Sequence, residues 1–214
     1  SPYQFGFRAK SGTETAALEL VEQIRSNLDN KLKVSAVCMD IRKAFDLVDI
    51  DCLIHTLDLS GIRGSPLKLI ENYLRSRKQI VKINSAASDV KCIEYGVVQG
   101  GILGSLLFII FFNHIASLDV TGKLFLYADD AVLINSHEKN DKVEDKIIPD
   151  LRKLLNFFEN QRLFLNFDKT QFIIFHSPFM KFQDSDMIDI DGKSIKRVDC
   201  VKYLGLFMDQ HLKW

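Results

Sequence analysis

Charge of one sign is missing from this chain: 28 Lys and Arg balance 28 Asp and Glu, so the formal net charge is zero. A protein that holds nucleic acid by bulk charge alone is usually basic, so the total gives that class no support. Proline is scarce, at four in 214 residues, and low-complexity tracts, internal repeats and Pro-rich linkers are absent. With 47% hydrophobic and 26% charged residues, the composition is that of an ordinary globular protein. It can bury one compact core or two packed subdomains. No two of the cysteines, Cys38, Cys52, Cys92 and Cys200, show C-x-x-C spacing. That argues against a zinc site or a disulfide framework and suits a reducing, intracellular compartment. There is no basic-then-apolar signal peptide. The longest apolar stretch, Ile102 to Phe112, is about half the roughly 20 residues a membrane span needs. It reads as a buried core helix, and no membrane partner is expected.

What charge there is lies unevenly. From Gly61 to Lys91 the bases Arg63, Lys68, Arg75, Arg77, Lys78, Lys82 and Lys91 face only Glu71 and Asp89. The stretch Asp184 to Asp191 is acidic instead. A solvated face and a groove that tracks a phosphate backbone are equally good readings of the basic run.

Periodicity places the elements. Ala17, Leu20, Val21, Ile24 and Leu28 predict an amphipathic helix over Thr13 to Asn30. Lys33 to Ile41 reads as a strand, and helices are expected over Asp49 to Leu59 and Leu67 to Arg75, the latter capped by Ser65-Pro66. Gln79 to Asn84 and Val90 to Tyr95 read as hairpin partners, and Leu106 to Ile115 as a helix after a glycine-rich loop. Leu124 to Ile134 reads as a tight hairpin with Asp129-Asp130 at its turn. A further helix runs from Val143 to Phe158, with Pro149 starting a new turn or kinking it, and short strands fill Gln171 to Phe175 and Lys193 to Met208. Helices and strands mix without a regular β-α-β alternation, so the fold class is α+β.

Two acidic sites stand in settings where carboxylates are costly. Asp40 ends the strand VSAVCMD, and Asp129-Asp130 interrupts LFLYADDAVLI. Burial and mutual repulsion both oppose ionisation there, and a divalent cation relieves both. Hard oxygen donors suit Mg2+ or Mn2+, and two such ions support an in-line displacement at phosphorus. Taken alone, an Asp-Asp pair is most often a plain turn. Phe45, in DIRKAFD, is suited to lie against a sugar and exclude a 2′-hydroxyl, although alone it reads as a core residue.

Five segments then occur in order: DIRKAFDLVD, GVVQGGILGSLLFIIFFNHI, LFLYADDAVLI, LNFDKTQFIIF and VKYLGLFMD, preceded by QFGFRAKSGTETAAL. Together they resemble the reverse transcriptases of non-LTR retrotransposons of the jockey-like and LINE-like kind, over nearly the whole chain. The resemblance implies a polymerase palm with an antiparallel sheet backed by helices, plus partial fingers. It implies a fragment of a longer polyprotein, without the upstream fingers, the thumb or an endonuclease. Asp40 and Asp129 match the two metal-binding catalytic acids, with two Mg2+ or Mn2+ ions as cofactors, and Asp130 is the neighbouring acid. Phe45, Gln99 and Ile41 fall at dNTP-binding positions, and Gly100 beside Gln99 at the template-positioning loop. Lys169 matches the lysine associated with the leaving pyrophosphate; Tyr203, Leu204 and Gly205 match the turn that holds the primer end. The implied partners are an RNA template, a DNA primer and dNTPs, and the implied place of action is the nucleus.

The chain departs from the family pattern where Val98 and Ser105 replace prolines, Gly101 replaces a serine and His114 an aspartate. More glycine and less proline loosen a loop. Two alternatives therefore stay open: a catalytically inactive palm-like nucleic-acid-binding scaffold from a decayed element, and an intron- or retron-type reverse transcriptase.

Overall fold

The computed structural model describes residues 3–213. Helix α1 (Thr13–Asp29) leads into strand β1 (Lys33–Met39), followed by helices α2 (Ile50–Leu59) and α3 (Gly64–Arg75). Four two-residue strands come next: β2 (Lys78–Gln79), β3 (Lys82–Ile83), β4 (Ala86–Ala87) and β5 (Lys91–Cys92). Helix α4 (Ile102–Phe112) passes into a 3-10 turn over Asn113–Ser117. Then come β6 (Lys123–Tyr127), β7 (Asp130–His137), α5 (Glu144–Asn160), β8 (Gln171–Phe175), β9 (Met187–Ile190), β10 (Lys193–Arg197), β11 (Cys200–Tyr203) and β12 (Leu206–Asp209).

One six-stranded sheet, in the order β6-β7-β1-β8-β10-β9, organises the chain. Its pairings are antiparallel except for β8 with β10. Both faces are covered, which is why β1, β7 and β8 read as nearly continuous apolar runs. Val37, Met39, Leu133, Phe172 and Ile174 pack on one face with residues of α2, α4 and α5. Val34, Ala36, Val132, Ile134, Ile173 and Phe175 pack on the other with α1 and the β11–β12 hairpin. The expected sheet backed by helices is therefore present, antiparallel in every pairing but β8 with β10.

Several local expectations change. The third helix starts one residue before Ser65-Pro66, and Ser65 does not cap it: Gly64 is its first residue, Arg63 stands at the cap, and no side chain bonds there. The strand expected over Gln79 to Asn84 breaks into β2, which pairs with β5, and β3, which pairs with β4. All eight residues of those ribbons are exposed, so no buried face fixes a longer register. Helix α4 is buried only in part, since Phe108, Phe111 and Phe112 sit in the core while Ile102 in its first turn is 92% exposed. Strand β9 lies within the acidic run, its Ile188 and Ile190 buried while Asp189 points outward.

Asp150 of α5 ties the opposite end of the sheet together. Fully buried, its carboxylate accepts from the Thr121 and Gly122 backbone N–H groups, the Thr121 hydroxyl and Asn135 Nδ2, all at 2.8–2.9 Å. Burial alone would raise its pKa, but these four donors together hold it below the usual carboxylate range. Replacing it with alanine strands the donors. Asp150→Ala is expected to lower unfolding free energy by about 3 kcal/mol, read in a urea titration as a lower midpoint with unchanged slope.

Candidate active site

Strands β1, β6 and β7 bring the three acids to one end of the sheet. Tyr127 pairs with Asp130, so the loop of the β6–β7 hairpin is Ala128 and Asp129. Sequence reasoning expected both acids at the turn; Asp129 occupies it, whereas Asp130 opens β7. Met39 pairs with Ala131, and one further step of that register sets Asp40 opposite Asp130. Asp40 and Asp129 are half-buried and Asp130 is exposed.

The electrostatics follow from this crowding. Partial burial, then the charge of Asp40, raises the pKa of Asp129. Although Asp130 keeps surface exposure, desolvation by the protein around its carboxylate, then Asp129, then Asp40, raises its pKa. Hard oxygen donors carrying unneutralised negative charge fit a divalent cation. Among the described residues no three His, Cys, Asp or Glu side chains are grouped closely enough to cage a metal by themselves. Asp40 and Asp129 are nonetheless a donor pair that Mg2+ could take, with water and substrate phosphate completing its shell. The residues present therefore fit the group.

Asp40 is braced from below by the LNFDKT turn. Its backbone carbonyl accepts from Asn166 N at 2.8 Å, and its N–H donates to the Thr170 hydroxyl at 3.3 Å. Ile41, buried, bridges to Leu165, and Arg42 N donates to Phe164 O at 2.9 Å. These bonds carry the turn holding Lys169 alongside Asp40, with Lys169 itself exposed. Thr170 went unnoticed in the sequence, where a lone threonine at a strand start carries no signal.

Phe45 stacks on Phe108 of α4, ring centroids 4.1 Å apart and 21° from parallel. The half-buried ring is thereby held against α4. Phe45 O accepts from Val97 N at 2.9 Å, and Val48 O from Gly96 N at 2.7 Å, so the glycine loop is stitched to the DIRKAFD turn. Gly96 sits at φ 81°, where a Cβ would lie 2.7 Å from Asp46 O. Exposed Gln99 donates from Nε2 to Asp46 Oδ1, a partner that sequence reasoning missed. Gly100 follows, exposed, at φ 79°.

Tyr203, Leu204 and Gly205 do form a turn. Tyr203 pairs with Leu206, and the loop residues Leu204 (φ 49°) and Gly205 (φ 89°) both occupy the left-handed region, the pattern of a type I′ hairpin. Cys38, Asp130, Tyr203 and Leu204 line one small cavity, so this hairpin reaches Asp130. Among the described residues the buried Tyr203 hydroxyl has no hydrogen-bond partner, and burial, then Asp130, raises its pKa. Burial, then Asp130, also pushes the Cys38 thiol up to about 12.

One contact at the site had no local signature in the sequence. The segment Tyr3–Gly6 lies along β6, with Leu126 N donating to Tyr3 O at 2.9 Å and Phe5 N to Leu126 O at 2.8 Å. Buried Gln4 meets the Ala128–Asp129 turn itself, its Oε1 accepting from Ala128 N at 3.0 Å.

Comparison with known proteins agrees with this arrangement. The family described as reverse transcriptase (RNA-dependent DNA polymerase) matches residues 1–208. The chain is 28% identical to a probable RNA-directed DNA polymerase from transposon X-element of Drosophila melanogaster. It is 27% identical to the RNA-directed DNA polymerase from mobile element jockey of Drosophila funebris. Each alignment covers 98% of this chain and 23% of the relative, so the chain spans under a quarter of their length. Among solved structures, telomerase from Candida tropicalis in complex with a fragment of telomeric RNA superposes with a TM-score of 0.63 at 13% identity, over 98% of this chain and 33% of that one. The apo telomerase truncated from its C-terminal domain gives 0.59 at 15% identity, over 97% and 41%. These structures share the palm-type polymerase fold. With three acids at one sheet end and residues 1–208 of the chain matched by this family, the chain belongs to the reverse transcriptases, with relatives among non-LTR retrotransposon RNA-directed DNA polymerases.

Proposed function

We propose that this chain is the palm and part of the fingers of an RNA-directed DNA polymerase, adding dNTPs to a DNA primer on an RNA template. One observation carries the reading: the β1–β7 register sets Asp40 opposite Asp130, beside the turn residue Asp129. In this reading Asp40 and Asp129 hold Mg2+ or Mn2+, with Asp130 adding negative charge. Two ions bound there supply activation of the primer 3′-hydroxyl and stabilisation of the leaving pyrophosphate. Phe45, backed by Phe108, lies against the sugar of the incoming nucleotide and excludes a 2′-hydroxyl, while Ile41 and Gln99 border the same nucleotide. Gly100 lets the loop follow the template, Tyr203 to Gly205 hold the primer end, and Lys169 faces the departing phosphate. Among the described residues no helix is long and apolar enough to cross a membrane. Retrotransposon ancestry supports action in the nucleus.

Three outcomes follow. Primer extension on an RNA template with Mg2+ or Mn2+ is expected to lose about 10³-fold or more in rate on Asp129→Asn, since several kcal/mol of charge stabilisation vanish. If the folded wild-type chain incorporates nothing while still binding the cation, an inactive scaffold becomes the better account. Phe45→Val is expected to narrow discrimination against ribonucleotides by about tenfold to a hundredfold, measured as the ratio of kcat/KM for dNTP and rNTP. Unchanged discrimination would sink the assignment of Phe45.

The third outcome concerns stability. Asp130 has a raised pKa in the folded state, so folding takes up protons and wild-type stability falls as pH rises above the ordinary carboxylate range. In chelated, metal-free buffer Asp130→Asn is therefore expected to melt higher than wild type at pH 7–8, with the gap closing towards pH 4. Scanning calorimetry checks both the sign and the window.

A further inference from the structure

The catalytic turn is held in an unfavourable conformation by a residue far away in the chain. Ala128 has φ 54°, the left-handed region, and is the only loop residue of this hairpin with positive φ. That is the type II′ pattern, which favours glycine at this position. The alternative, type I′, differs by a flip of the peptide joining Ala128 to Asp129. The direction of the Ala128 carbonyl thus sets where the Asp129 carboxylate leaves the turn.

Gln4 engages both backbone groups of Ala128. Oε1 accepts from Ala128 N at 3.0 Å and from Gly6 N at 2.8 Å, and Nε2 donates to Ala128 O at 3.4 Å. One buried amide, 2% exposed, therefore plays the part of a paired strand at a point where the β-ladder has run out. Its own position is fixed by the Tyr3–Phe5 backbone bonds to Leu126 and by Phe5, which stacks on Phe125. Gly6 permits the approach: a Cβ there would lie 2.4 Å from Ala128 N.

We infer that Gln4 is a positioning residue for the polymerase reaction, locking the Ala128–Asp129 peptide so that Asp129 is presented to the cation. The inference rests on the reading of Asp129 as a metal-binding acid. It goes further by assigning the QFGFR segment a role at the catalytic turn.

The test compares wild type with Gln4→Met, which keeps length and apolar bulk but neither bond, and Gln4→Glu, which keeps the acceptor and loses the donor. Amide hydrogen exchange resolved by NMR is expected to speed up at least tenfold at Ala128 in Gln4→Met, with β1 and β8 amides unchanged. Single-turnover dNTP incorporation per folded molecule is expected to fall about 100-fold in kcat in both variants, with KM within threefold. Unchanged exchange at Ala128 in folded Gln4→Met overturns the inference, as does incorporation at the wild-type rate in either variant. So does failure of both variants to fold, because the role is then structural. If wild type itself incorporates nothing, the polymerase reading fails separately. Gln4 is then judged by exchange together with Mn2+ affinity, expected to be about tenfold weaker in both variants and overturning the inference if unchanged.

Discussion

The antiparallel register of β1 against β7 is the constraint on which the rest of the molecule depends. Side chains alternate along a strand, so a one-residue slip would move every inward residue to the opposite face. Here both faces are buried and both resist a slip. Met39 opposite Ala131 puts one pair into the core under the helices, and Cys38 opposite Val132 puts the next pair under α1 and the β11–β12 hairpin. The same register that fills two cores carries Asp40 into line with Asp130 at the place where the ladder ends. Packing thereby sets the separation of the acids without any direct bond between them.

That arrangement leaves like charges crowded together, and the surroundings show how the crowding is sustained. The carbonyl of Asp40 and its N–H are occupied by Asn166 and Thr170, so its backbone cannot yield to repulsion. The turn bearing Asp129 is pinned at the other side through Ala128. With both backbones held, partial burial first and the neighbouring carboxylates second raise the proton affinity of Asp129 and Asp130. A divalent cation bound beside these carboxylates would relieve this directly.

Much of this was legible in the amino acids because it rests on short-range pattern. The helix α1 follows from apolar spacing, the β6–β7 hairpin from two apolar runs around a pair of acids, and Asp40 from the cost of ending a buried strand on a carboxylate. What escaped has one of two causes. The ribbons β2 to β5 bury nothing, so alternation in Gln79 to Asn84 had no face to report, and β9 hid because Asp186, Asp189 and Asp191 dominate its neighbourhood. The contacts Gln4–Ala128, Thr170–Asp40 and Gln99–Asp46 join residues 53 to 130 positions apart. Side-chain to backbone bonds across such distances leave no periodicity to read.

Two turns at this end of the sheet use non-glycine residues in the left-handed region, Ala128 and Leu204, each at a conformational cost of about 1 kcal/mol. Glycine would remove that cost at both places, and Gly205 shows that the chain uses it next door. A side chain at these positions restricts the loop once tertiary contacts have selected its conformation, whereas glycine would leave several conformers close in energy. Ala128 is buried, with Gln4 and Gly6 against it, while Leu204 packs with the second core and lines the cavity shared by Asp130 and Tyr203. The penalty is thus met by packing elsewhere, and what it gives is definition of the Ala128–Asp129 and Leu204–Gly205 turns.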